Sequence, residues 1–276
     1  MILEILKSII YGIVEGITEW LPISSTGHLI LLEQILPLRA SEAFMEMFDV
    51  VIQLGAILAV IVLFFHKLNP FSPRKDEKQK KNTWVLWLKV IVAVIPSAVL
   101  GFLLDDWMDE HLYNHIVVAI MLILYGAAFI LVEKRNEGVK PKIRSVDQID
   151  YRTALMIGGF QVLALIPGTS RSGATILGAI LLGLSRTAGA EFSFFLAIPT
   201  MLGASLLKTV KFVAEGNTMA GGEVVSLILG CIVAFVVSLL AIRALMDYVK
   251  KHSFSLFGVY RIVLGAVVLL AFLIAR

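Results

Sequence analysis

The sequence predicts an all-α polytopic membrane protein built as an inverted-topology repeat, each half holding three transmembrane helices and one re-entrant helix–loop–helix. Three observations carry this expectation. Hydrophobic residues make up 58% of the 276-residue chain and charged residues only 16%, whereas soluble domains carry about 25% charged residues. The apolar residues fall into five segments in each half of the chain. Finally, a polar motif near the start is echoed halfway along.

The first half, 1–136, contains apolar segments at 3–20, 24–36, 46–66, 84–104 and 114–133; the second, 150–276, at 153–166, 170–183, 190–210, 224–244 and 255–274. The last three of each set approach the ~20 residues that a helix needs to cross a bilayer. The segments around the motifs do not. At ~1.5 Å per residue, 24–36 reaches about 20 Å against a hydrocarbon core of about 30 Å. We therefore expect re-entrant hairpins over 3–36 and 153–183, bent at Pro22 and Pro167, with Gly27, Gly168 and Gly173 permitting tight backbone. Irregular backbone at membrane depth survives only where protein or a wet cavity covers it.

Charge placement sets the orientation. The connection 67–83 holds Lys67, Arg74, Lys75, Lys78, Lys80 and Lys81, and 134–152 holds Lys134, Arg135, Lys140, Lys142, Arg144 and Arg152. Between them, 105–113 carries Asp105, Asp106, Asp109 and Glu110 without a lysine or arginine, and reads as a solvated outer loop. Basic loops face the cytoplasm. The same count puts Arg186, Lys250 and Lys251 inside, and 211–222 outside. Three spans plus a hairpin make an odd number of crossings. The halves are then inverted, with the first hairpin entering from outside and the second from the cytoplasm.

Several classes fall away. The net charge of +3 is too small to suggest nucleic acid. Cys231 is the single cysteine, so neither an intrachain disulfide nor a cysteine metal cluster can form. Glu4 and Lys7 interrupt the start, and the apolar stretch runs into Glu15 without a small-residue cleavage site, so no cleavable signal is expected. No Walker loop, dinucleotide fingerprint or H-E-x-x-H occurs.

The echo pairs Gly12 with Gly158, Glu15 with Gln161, Ser24 with Ser170, Ser25 with Arg171 and Gly27 with Gly173, all at an offset of 146. Only the first copy holds acids and a histidine; only the second holds an arginine. Their meeting point is the expected site. Glu15 and Glu19, four apart, share a helix face, and two carboxylates in an apolar segment call for suppressed ionisation or a hard cation such as Mg2+ or Ca2+. Ser24, Ser25 and Thr26 cluster hydroxyls, although Ser24 could equally cap the next helix. Ser25 and His28, three apart, offer a nucleophile with an adjacent base, or a histidine that attacks directly. Arg171, between Ser170 and Ser172 at a helix start, suits a phosphate group, or else an internal pairing with Glu15 or Glu19. Gln53 and Glu191 are polar residues that line or brace the cavity, and His66, His111, His115 and His252 fall at segment ends.

The run Glu15-Gly-Ile-Thr-Glu19-Trp-Leu-Pro-Ile-Ser-Ser-Thr-Gly-His28 resembles the first signature of the undecaprenyl-diphosphate phosphatase family, the bacitracin-resistance type. Pro167-Gly-Thr-Ser-Arg171-Ser-Gly-Ala-Thr175 resembles its second, and the likeness extends through Phe48-Asp-Val-Val-Ile-Gln53-Leu-Gly and Glu191-Phe-Ser-Phe. The resemblance implies a multi-pass enzyme of the bacterial plasma membrane that hydrolyses undecaprenyl diphosphate to undecaprenyl phosphate and inorganic phosphate. Such an enzyme recycles the lipid carrier of peptidoglycan synthesis and confers bacitracin resistance. It also implies a divalent cation at Glu15 and Glu19, and catalysis by Glu15, Glu19, Ser25, His28 and Arg171. Ser24, Thr26, Ser170, Ser172 and Thr175 would contact the substrate. Membrane lipids are the expected surroundings, and the sequence allows a homodimer. Whether Ser25, His28 or water attacks phosphorus stays open at this level.

Two other classes compete. An inverted-repeat secondary transporter or lipid flippase would use the same midplane site, with Glu15, Glu19 and His28 as a proton relay and Arg171 as an anion site. A membrane phosphatase of the acid-phosphatase-like type shares a Ser-Gly-His element but needs a histidine soon after its arginine, and here the next after Arg171 is His252.

Overall fold

A computed structural model describes residues 2–274, except for the side chains of Asp105 and Asp109, two of the acidic group singled out above. The fold is nearly all helical. The first motif joins α1 (Ile2–Thr18) to α2 (Ser25–Ile35). Next, α3 (Glu42–Val51) and α4 (Gln53–Leu63) are interrupted at Ile52, and α5 (Phe65–Leu68) is a single turn. Then come α6 (Glu77–Leu112) and α7 (His115–Arg135). The second half runs α8 (Tyr151–Val162), α9 (Arg171–Leu181), α10 (Arg186–Ala214), α11 (Gly221–Val249) and α12 (Ser255–Ile274).

Six stretches among the described residues are long and apolar enough to cross a membrane: Glu42–Leu63, Glu77–Leu104, His115–Arg135, Arg186–Ala214, Gly221–Val249 and Ser255–Ile274. This is a multi-pass membrane protein. On α6 the outward residues Leu88, Ile91, Ile95, Val99 and Phe102 are exposed at helical spacing, an apolar stripe suited to lipid.

Local chemistry starts most of these helices. Ser41, Asn114, Asp150 and Ser185 each accept a backbone N–H in the first turn that follows, and Asp76 forms a capping box with Gln79. The observed span of α6 corrects two expectations. Helix α6 begins inside the basic connection, and it continues through the acidic stretch to Leu112 instead of ending in a loop at 105. Acidic side chains do not break a helix, and no glycine or proline intervenes before Asn114 caps α7.

Packing partners are exchanged between the halves: α1 lies along α11, α8 lies along α6, and α7 packs against α12. The echo glycines serve these crossings. A Cβ at Gly12 would lie 2.6 Å from the Gly230 carbonyl oxygen, and Gly158 lies directly against the Ala93 carbonyl. The main core gathers the fully buried Trp20, Phe129, Phe192, Phe194, Phe195 and Phe254.

Candidate active site

The site is assembled where the two motif loops meet. Helix α1 ends at Thr18, although the Glu19 N–H still reaches the Glu15 carbonyl at 3.0 Å. The chain then turns through Trp20–Ile23 and re-enters helix at Ser25. Ser24 makes that turn with φ 74°, and Ser170 makes its counterpart with φ 70°; they are the only non-glycine residues with positive φ among those described. Each serine hydroxyl accepts an N–H three residues on, from Gly27 at 3.4 Å and Gly173 at 3.1 Å. Both serines therefore cap, as one sequence expectation held for Ser24. Left-handed backbone at such residues costs about 1–3 kcal/mol and persists where surrounding structure enforces it.

Glu19 is the hub. Its Oε2 accepts the Ser25 hydroxyl at 2.8 Å and its Oε1 accepts Arg171 Nη2 at 3.1 Å. The pair is shielded, with side-chain exposures of 6% for Glu19 and 10% for Arg171. Arg171 Nη1 also donates to the Ser193 carbonyl at 2.7 Å, its Nε has no hydrogen-bond partner among the described residues, and its guanidinium stands 5.7 Å from the centre of the Trp20 ring. Thr175 donates to the Arg171 carbonyl at 2.9 Å and meets Ser193 Oγ at 2.6 Å. Ser172 donates to the Glu19 carbonyl at 3.0 Å and Ser170 Oγ lies 3.2 Å from Ser172 Oγ. Ser172 is thus a fully buried brace between the hairpins, while the fully buried Thr175 ties Arg171 to Ser193 within the second half.

Glu15 lies one turn behind Glu19, fully buried, and both of its carboxylate oxygens lack a hydrogen-bond partner among the described residues. Two orphaned oxygens beside a second carboxylate fit a hard divalent cation. No cluster of three His, Cys, Asp or Glu side chains able to hold a metal occurs among the described residues. Glu15 and Glu19 are the residues that would hold such a cation.

His28 is turned elsewhere. Its Nδ1 lies 2.7 Å from the Ser24 carbonyl and its Nε2 lies 2.7 Å from the Tyr260 hydroxyl, against whose ring it stacks. The structure does not bring His28 to Ser25. Glu191 pairs with Lys67 at 2.6 Å, away from the cavity, while Gln53 lines it. His66, His111, His115 and His252 contact Arg74, Trp107, Phe272 and Tyr248 respectively, at helix ends.

A cavity of about 690 Å³ opens beside these groups. Glu19, Ser25, Thr26, Gln161, Ser170 and Arg171 form its polar end. Val50, Val94, Phe102, Leu165, Leu206 and Leu207 line the rest, with Met108 and Tyr113 near the C-terminal end of α6. Near that end Lys211 donates to Asp106 at 2.8 Å and holds the Asp106 carboxyl below its ordinary range. Gln161, the echo of Glu15, donates to Ser97 at 2.6 Å and Thr200 at 3.1 Å.

Two participants escape the sequence analysis. Ser193 appears there only within a motif. Arg261, in the apolar segment of α12, is not singled out, although a lone intramembrane arginine is itself a signal. It is fully buried and donates to the carbonyls of Pro22, Met121, Gly168 and Thr169.

Comparison with known proteins follows the same lines. A family model described as bacitracin resistance protein BacA matches residues 8–267. An Enterococcus faecalis protein named undecaprenyl-diphosphatase is 61% identical over 263 residues, covering 95% of each chain. Proteins of the same name from Lactiplantibacillus plantarum and Latilactobacillus sakei are 60% and 59% identical over 267 residues, each covering 97% of both chains.

Proposed function

The chain belongs to the bacitracin resistance protein BacA family, and from that premise we propose that it hydrolyses undecaprenyl diphosphate to undecaprenyl phosphate and inorganic phosphate. This reaction recycles the lipid carrier for peptidoglycan synthesis at the bacterial plasma membrane. The observation that carries the chemistry is the single carboxylate of Glu19 bonded at once to the Ser25 hydroxyl and to Arg171.

In this reading Ser25 is the nucleophile and Glu19 its base. The terminal phosphate of the substrate enters the polar end of the cavity and takes the guanidinium of Arg171 from Glu19. The freed carboxylate then accepts the Ser25 proton as Oγ attacks phosphorus in line. A Ser25 Oγ–P bond forms, the bridging P–O bond breaks, and undecaprenyl phosphate leaves. Undecaprenyl phosphate carries off the proton that Glu19 took, and Glu19, ionised again, deprotonates the water that cleaves the phosphoserine. That second proton passes to Oγ as the Oγ–P bond breaks and regenerates the hydroxyl. Arg171 holds the charge that spreads over the non-bridging oxygens, the main task of a protein in phosphoryl transfer. A divalent cation bound by Glu15 and Glu19 would offset the charge that diphosphate brings beside two carboxylates. His28, with both ring nitrogens engaged, supports the loop through the Ser24 carbonyl.

The finer architecture belongs to the same proposal. The halves 1–136 and 150–276 are inverted repeats, and 3–36 and 153–183 are re-entrant hairpins that enter from opposite faces. The exchange of packing partners, α1 with α11 and α8 with α6, supports this, as do the matching left-handed serines. A flippase or transporter would use the same repeat, but the bonded row Ser25–Glu19–Arg171 favours hydrolysis. Phosphate release from undecaprenyl diphosphate by the purified chain, with Mg2+ or Ca2+ present, tests the assignment. No release above that of a Ser25→Ala variant would overturn it.

A further inference from the structure

Arg261 is a charge buried in a membrane helix, and among the described residues no acid pairs with it. Its Nη1 donates to Pro22 at 3.2 Å, and its Nη2 donates to Gly168 at 2.8 Å, Thr169 at 2.9 Å and Met121 at 3.4 Å. The guanidinium lies 5.5 Å from the centre of the Tyr125 ring. Met121 and Tyr125 belong to α7, which α12 crosses so closely that a Cβ on Gly126 or Gly258 would fall 2.6 Å from the other's carbonyl oxygen. The arginine therefore reaches from a rigid α7–α12 frame to both motif loops. Pro22 precedes Ser25 by three residues, and Thr169 precedes Arg171 by two.

An arginine inside a membrane helix is costly to insert, so packing alone would be better met by an apolar residue. Only the planar fork of arginine spans several carbonyls at once. Gly173 leaves room for it, since a Cβ there would come within 3.2 Å of Arg261 Nη1.

We infer that Arg261 is a positioning residue that clasps the two motif loops by their carbonyls and so sets the separation of Ser25 from Arg171. The inference rests on the hydrolase reading for its kinetic consequence, but not for its structural one. Arg261→Lys keeps the charge and loses the fork. It should lower kcat about 100-fold, the penalty of a displacement near 1 Å, with KM changed less than about threefold. Amide exchange should accelerate in 20–26 and 166–172 together, with α7 unchanged. Gly173→Ala would set a methyl 3.2 Å from both Arg261 Nη1 and Ser170 Cβ, so it should show the same kinetic split, and in the Arg261→Lys background it should lower kcat further by less than it does alone. Full kcat per folded molecule in both variants, or faster exchange in one loop alone, would overturn the clasp. Exchange that rises in both loops supports it even in a preparation without phosphate release, a result that would instead sink the hydrolase reading.

Discussion

The Ser25 hydroxyl donates to the Glu19 carboxylate at 2.8 Å across the break that separates α1 from α2. Removing either partner should be visible at once. Ser25→Ala is expected to lower phosphate release by on the order of 10³-fold or more, and Glu19→Gln by about 10²–10⁴-fold, the range for a lost general base. Labelled substrate quenched during turnover should leave phosphate on Ser25. Label on His28, or full activity in Ser25→Ala, would reject the assignment.

Neither carboxylate oxygen of Glu15 is satisfied by a hydrogen bond among the described residues, so its role is open to direct measurement. Glu15→Gln should weaken Mn2+ binding, read by electron paramagnetic resonance without substrate, while leaving the melting temperature unchanged or raised. Chelation should abolish phosphate release in the unmodified protein, and added Mg2+ or Ca2+ should restore it. Equal Mn2+ affinity in the variant would remove Glu15 from the cation site.

Ser24 and Ser170 combine a left-handed backbone with a capping hydroxyl. Alanine keeps the awkward φ and loses the cap, and should cost about 1 kcal/mol at either site. Glycine loses the cap but relieves the backbone, so its cost should be only a few tenths of a kcal/mol. Thermal unfolding in detergent should rank serine and glycine close together, with alanine clearly below.

Orientation can be read by labelling single cysteines in a Cys231→Ser background. A cysteine at Lys78 should react only with reagent admitted to the cytoplasmic side, and one at Arg39 only with external reagent. Reaction of both from the same side would reject the inverted arrangement with its first hairpin opening outward.

Much of this was legible in the residues because it is a local property. Apolar length reports a span, and Ser24 and Ser170 carry their capping chemistry in their own side chains. The end of α6 was not legible, because a charged stretch signals water without saying whether the backbone stays helical. Residues three apart on a helix are still separated by about 60° around its axis, which is enough for Ser25 to meet Glu19 while His28 meets Tyr260. Nor does spacing reveal Ser25 beside Glu19, since the path between them is a turn. Arg261 was silent for a different reason. Its partners are backbone carbonyls, which every residue has and no motif records.

The cavity of about 690 Å³ is the size of an ordinary small-molecule pocket, far too small for a chain of eleven isoprene units. The enzyme can therefore enclose the diphosphate and the first few units only, and the rest of the tail must remain among neighbouring lipids throughout turnover. Inorganic phosphate leaves through water, but the lipid substrate arrives by sliding within the bilayer. Its effective concentration is then a surface density, and the rate should follow the mole fraction of carrier in the bilayer, whatever the volume of the surrounding solution.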